Sequence, residues 1–251
     1  MTEGSSSQTT PVLVLGAGFT ALSVLRAFGR KGIPAYVMID KGDDCAIRFS
    51  RWFKSIPLSR TKFLTLPAVL DAGVLERAVV IPCSDLWVEV TSLLPRRLTQ
   101  RFPSTVASNP AVFLDKGLLA QTLTKLGLPH PETILLRTEK DFGDLPETAF
   151  VHFFLKPRRS FNFSKRFGCK AMTICSRDEA IGRFNQIVEH GFLPVLQEFI
   201  PGPPTAHYLI DGFIDRTGIV RAMFASRRMR MYPEKFGDST YQVSIPINRV
   251  D

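Results

Sequence analysis

Val195-Leu196-Gln197-Glu198-Phe199-Ile200-Pro201-Gly202 is an apolar, extended run stopped by a proline and a glycine. Its composition and abrupt end read as a strand followed by a turn. Upstream stands a second apolar run, Phe154-Leu155-Lys156-Pro157, which closes on a lysine and a proline. The stretch from there to Lys170 holds Arg158, Arg159, Lys165, Arg166 and Lys170 with no acid among them. Further upstream, Asp115-Lys116 opens a helix predicted over 115–126. Asp115 is a good N-terminal cap and Gly127 a good stop. Leu128-Pro129-His130-Pro131 then forms a stiff connector.

These three pieces suit one kind of ligand. A nucleotide needs a dry slot for its base, peptide groups along the base edge, and cations for its phosphates. The 195–200 run supplies an extended edge between apolar walls. Lys156, fixed on a strand, reaches toward a phosphate, and Lys116 approaches from another side. The basic stretch 158–168 reads as a lid that folds over the phosphates and excludes water. A solvated surface is the bland alternative for any such charge run.

Toward the N-terminus, 12–15 is a short apolar run that meets Gly16. A helix is predicted over 21–30, where Leu22, Leu25 and Phe28 share one side. A second strand is expected at 36–39, a third at 79–81, and a helix at 86–94. This is a β-α-β unit with parallel strands. Gly16-Ala17-Gly18-Phe19-Thr20-Ala21 fits a phosphate-binding turn, and Asp40 stands where an acid holds ribose hydroxyls in dinucleotide sites. That pattern keeps a dinucleotide-dependent oxidoreductase open. Phe102-Pro103 and Asn109-Pro110 mark a boundary. Beyond it the texture changes to hairpins. Strands are expected at 134–136, 151–156, 170–175, 195–200, 207–214 and 219–226, with one helix over 177–190.

The chain has 251 residues, 45% hydrophobic and 22% charged, with a net charge of +9 from 32 basic and 23 acidic side chains. This is a globular balance whose excess charge favours anionic partners. No apolar run approaches the roughly 20 residues of a membrane-spanning helix. Residues 1–10 are small and polar, unlike a secretion signal, and read as a loose tail. Cys45, Cys83, Cys169 and Cys175 are widely separated, which argues against a zinc site or disulfide framework. Reduced thiols and a cytoplasmic setting are expected. His130, His152, His190 and His207 are scattered, and no Ser-His-Asp or Cys-His set is evident.

In the order and spacing of these pieces the chain resembles the ATP-grasp superfamily, in particular carboxylate–amine ligases with a Rossmann-like domain in front. The resemblance covers nearly everything after Pro11. The 16–21 turn, Arg48-Phe49-Ser50-Arg51 and Ile81-Pro82-Cys83-Ser84-Asp85 resemble the leading domain. Asp115-Lys116, Leu155-Lys156-Pro157 and the 197–202 hinge resemble the nucleotide site. Arg227-Arg228-Met229-Arg230, Tyr232-Pro233 and Phe236-Gly237 resemble the arginine-rich strand and turn that follow.

The resemblance implies an α/β chain in which a Rossmann-like pre-ATP-grasp domain (11–110) precedes an α+β ATP-grasp domain (111–251) that is incomplete at its C-terminus. It implies ATP as cofactor and a small carboxylate as substrate. Lys116 and Lys156 would bind phosphates. Gln197, Glu198, Phe199 and Ile200 would hold the adenine, mostly through backbone. Arg228 or Arg230 would face phosphate or the carboxylate. The carboxylate would attack the γ-phosphate to give an acyl phosphate, and an amine, or a thiol, would then displace phosphate. Magnesium is implied too, but the family's ligands fall beyond Asp251, and Glu234 and Asp238 stand in the wrong context. No metal ligand is assigned. The chain is therefore expected to turn over little by itself, and to self-associate or meet a partner that supplies further strands.

Neither nucleic acid nor membrane is an expected partner. A nucleic-acid protein that stacks bases on Phe161, Phe163 and Phe167 remains a rival, as does a relative that binds nucleotide without turnover.

Overall fold

The structure, a computed structural model, describes residues 9–39, 46–56, 66–71, 73–103 and 110–250. Asp40, Cys45 and Asp251 lie outside the described residues, as does most of the tail expected at 1–10. The chain divides into two compact units, 1–110 with 214–219, and 111–213 with 220–251.

The first unit is built on β1 (Val12–Leu15), flanked by β2 (Ala35–Met38) and β3 (Val79–Pro82) in the order β2-β1-β3, all parallel. Every β1 side chain is buried, as a central strand covered on both faces requires. Val12 and Val14 pack with Ala21, Leu25 and Val37, on the side of the helix Phe19–Arg30. Leu13 and Leu15 pack with Val69, Leu70, Val80 and Trp87, the last from the helix Asp85–Ser92. Gly16 sits at φ +126, a conformation open only to glycine, and turns the chain from β1 toward the first helix.

The second unit holds two sheets. One has the order β4-β7-β5-β6, formed by β4 (Thr133–Leu135), β5 (Phe153–Pro157), β6 (Met172–Thr173) and β7 (Pro194–Glu198). Strand alternation gives it two different faces. Leu155 and Leu196 point into a core with Phe142, Phe150, Phe163, Phe184 and Ile187, the last two from the helix Arg177–Glu189. Lys156 opposes Val195, and Phe154 opposes Gln197. The other sheet is an antiparallel meander of β8 (Tyr208–Ile214), β9 (Val220–Tyr232) and β10 (Asp238–Ile245). Its apolar side chains are poorly covered: Ile210, Val220, Met223 and Phe224 each remain about half exposed.

Several expectations need correction. The strand expected from 151 begins at Phe153, because Ala149–His152 makes a helical turn that sinks Phe150 fully into the core. The strand expected over 170–175 shrinks to Met172–Thr173, since Ser176 caps the following helix by accepting from Glu179 N–H. The strand expected to stop at 226 runs on to Tyr232 and takes the arginines with it. β10 had no expectation at all.

The stretch read as a lid contains the helix Phe163–Phe167. Phe163 is buried, with the Phe167 and Phe192 rings 4.6 and 5.2 Å away. That anchor ties the second half of the stretch to the core. It also removes Phe163 from the surface on which bases were to stack. Among the described residues, no helix is long and apolar enough to cross a membrane.

Candidate functional site

Asp115 caps the helix Lys116–Lys125 by accepting from Gly117 and Leu118 N–H at 2.9 and 3.1 Å. The same carboxylate pairs with Arg158 Nη2 at 2.9 Å, and Lys116 N–H donates to Arg158 O at 3.0 Å. The helix start is thus clamped to the chain leaving β5. Burial alone would raise the Asp115 carboxyl, but Arg158 and the two backbone donors outweigh it and hold the group below the ordinary aspartate value. Lys116 Nζ, set by this clamp, donates to Ser160 Oγ at 2.8 Å.

On the open face of the four-stranded sheet, Lys156 Nζ donates to Gln197 Oε1 at 3.3 Å. Gln197 Nε2 in turn donates to Thr133 Oγ1 at 3.1 Å, which fixes the amide's orientation. Burial pushes the Lys156 ammonium down to about 8, and the nearby charges of Lys116 and Lys170 add to the effect. The ladder's last bond runs from Phe199 N–H to His152 O at 2.8 Å, and Ile200 lies beyond it.

Lys156, Phe199, Ile200 and Arg228 line one cavity of about 660 Å³ in the second unit. That volume is within the range of small-molecule sites. One wall is aromatic: Phe236 stacks tilted on Phe154 at 4.5 Å, and Phe199 meets both rings edge-on at 6.4 and 6.2 Å. Phe236 rides a tight turn. A Cβ on Gly237 would stand 2.0 Å from Pro233 O, so only glycine closes it.

Arg228, which lines the same cavity, is held from several sides. Its Nε donates to Ser239 Oγ at 2.6 Å, and its Nη1 lies 2.8 Å from His207 Nδ1 and 3.0 Å from Met231 Sδ. An arginine can only donate, so Nδ1 accepts and the neutral His207 ring carries its proton on Nε2. Burial, then the Arg228 charge, lowers the His207 pKa and keeps that neutral form. Lys170 also lines the cavity and is ion-paired with Asp238.

The predicted residues therefore divide. Lys156, Phe199, Ile200 and Arg228 share the cavity, with Gln197 bonded to Lys156. Lys116 stands at the clamp, close enough to act on the Lys156 charge. Glu198 turns away: its Oε2 accepts from Glu132 N–H at 3.0 Å. Arg230 is exposed and pairs with Tyr241 across the sheet. Lys170, His207, Met231, Lys235 and Phe236 line the cavity without having been assigned a role from sequence. Strand spacing gives no warning that the 207, 228 and 236 segments converge.

Comparison with solved structures finds the same fold in larger proteins. The chain aligns over 94% of its length with phosphoribosylamine–glycine ligase from Thermotoga maritima, at TM-score 0.64 and 13% identity, covering 56% of that chain. It aligns over 86% with N5-carboxyaminoimidazole ribonucleotide synthetase from Thermus thermophilus, at TM-score 0.60 and 19% identity, covering 54% of it. A RimK domain ATP-grasp protein from Sphaerobacter thermophilus aligns with 92% of the chain at TM-score 0.54 and 14% identity, with 76% of that protein covered. The chain thus spans about half the length of the first two proteins. No protein-family model matches the chain, and neither does any curated protein.

Proposed function

We propose that this chain, whose fold is the ATP-grasp fold, is the nucleotide-binding part of an ATP-dependent carboxylate–amine or carboxylate–thiol ligase. One observation supports it above the others. Lys156 is a desolvated cation at the end of a strand, with Lys116 and Lys170 beside it, and it opens on a cavity walled by Phe199, Ile200 and Phe236. Three cations held so close together repel one another, and a polyphosphate relieves that repulsion. Adenine fits against the aromatic wall, with the backbone at Ile200, which lies past the ladder's last bond, along its edge. Lys156 and Lys116 hold phosphates, and Arg228 faces the transferred phosphate or the substrate carboxylate. The carboxylate attacks the γ-phosphate, and the amine or thiol then displaces phosphate from the acyl phosphate. Fixed cations stabilise the moving charge, and no side-chain nucleophile is needed.

Magnesium is not fitted by the residues in view. Among the described residues, no three His, Cys, Asp or Glu side chains converge. Asp238 is engaged by Lys170, so no step is routed through a metal here. The half-exposed apolar residues of β8 and β9 support self-association, or a partner that supplies further strands, as part of the same proposal.

Calorimetry with ATP, adenosine and NAD tests the reading. ATP is expected to bind, adenosine more weakly, and NAD not at all. Tight NAD binding abolished by Asp40→Ala would move the site to the Gly16–Gly18 turn and overturn it. The pH dependence is a second expected outcome. Lys156 must be protonated to meet phosphate, so ATP affinity holds below about pH 8 and falls above it. Above that pH, binding is expected to take up a proton, detectable as a heat that changes with buffer ionisation enthalpy. An unchanged affinity from pH 7 to 9.5 would remove Lys156 from the phosphate site.

A further inference from the structure

We propose that Lys156 is a site of covalent acylation by small acyl phosphates, which enter the cavity phosphate-first and leave their acyl group on the lysine. The cavity supplies both halves of the reaction. Arg228 and Lys235 line it and offer cationic anchorage for a phosphate, while the Lys156 amine opens on the same space. Arg228 is already oriented by Ser239, His207 and Met231, so it presents a fixed charge. Exposed lysines such as Lys125 and Lys140 do not line this cavity.

The step balances without another reagent. The Nζ lone pair attacks the acyl carbon, and the C–O bond to phosphate breaks. Phosphate leaves with the bonding pair, and the amine proton passes to solvent. A neutral amide remains where a cation stood. The pKa of about 8 leaves a free-amine fraction at neutral pH that an unburied lysine lacks. The modification removes one of the cavity's positive charges, so it also acts as an off-switch for any anionic ligand there.

The proposal rests on the cavity and not on the nucleotide reading. The test uses the 251-residue chain with acetyl phosphate at pH 7.5, followed by peptide mass mapping over time. Lys156 is expected to be acetylated roughly tenfold faster than Lys125 or Lys140. Inorganic pyrophosphate is expected to slow Lys156 and to leave Lys125 and Lys140, which do not line the cavity, unchanged. Lys156→Arg is expected to abolish that site and leave the other rates unchanged. Equal rates at Lys156 and Lys125, or a Lys156 rate untouched by pyrophosphate, overturns the proposal. ATP calorimetry on the unmodified protein judges the nucleotide reading separately: fast, pyrophosphate-sensitive acetylation of a chain that binds no ATP before modification upholds the acylation and sinks the ligase.

Discussion

Lys156→Ala is expected to weaken ATP binding by about 2–5 kcal/mol while adenosine binding changes little. The size follows from desolvation. A cation partly withdrawn from water near the end of β5 attracts a phosphate more strongly than a fully solvated lysine does. The folded protein should not suffer. Because burial lowers the Lys156 pKa, carrying its proton costs stability at every pH below about 8, and the cost fades as pH rises toward the unfolded value of 10.5. Lys156→Met, which keeps most of the aliphatic stem, is therefore expected to raise the melting temperature at pH 7 while it loses ATP. Calorimetry and thermal melts on the same variant check both signs. Equal losses for ATP and adenosine would reduce Lys156 to a structural residue.

Asp115→Ala is expected to destabilise the second unit by about 3 kcal/mol. One carboxylate does two jobs: it caps a helix and neutralises Arg158. The Asp115 side chain is 8% exposed and that of Arg158 25%, so the loss leaves a largely buried guanidinium without its partner. Asp115→Asn keeps the cap and is expected to recover about 1 kcal/mol. The carboxyl is held below its usual range, so its contribution is complete above the ordinary value of 3.8 and disappears as pH falls through the lower folded value. Urea titrations of the three proteins at pH 7 and pH 3 measure this. Similar midpoints for wild type and Asp115→Ala at pH 7 would count against the clamp.

Much of this was legible in the residues. The 12–15 run reads as a buried strand, and its two packing faces, Val12 with Val14 and Leu13 with Leu15, are the reason no polar residue interrupts it. Asp115 and Gly127 bracket their helix as caps should. The strands that carry Lys156 and Gln197 are local features, legible as apolar runs that end in Lys-Pro and Pro-Gly. Glu198 shows where local reading can be sharpened. In a strand, neighbours face opposite ways, so only one of Gln197 and Glu198 can share the Lys156 side.

Arg230 is harder to place. Two residues from Arg228, it should share that arginine's face. The register instead shifts between Tyr241 and Gln242, leaving Met229 as an extra residue on β9. A bulge of this kind turns the strand, and nothing in the sequence marks it. β10 reads weakly because its side chains are mostly exposed and polar, with little apolar alternation to detect. Arg228 meets His207 across the β8–β9 hairpin, where Arg228 N–H donates to His207 O at 2.9 Å, whereas the meeting of Phe236 with Phe154 is a long-range event that apolar spacing does not announce.

The four-stranded sheet also has a kinetic consequence. β7 pairs with β5, joining Lys156 to Val195, and with β4, joining Thr133 to Gln197, so the Lys156–Gln197–Thr133 chain of bonds closes loops tens of residues long. The β8–β10 meander, in contrast, is made of adjacent hairpins. Local pairings close quickly and distant ones late, so the meander forms without waiting for the sheet that bears Lys156. The surface around Lys156 is then among the last features to appear during folding. A ligand for it would leave the refolding rate nearly unchanged and act almost wholly by slowing escape from the native state.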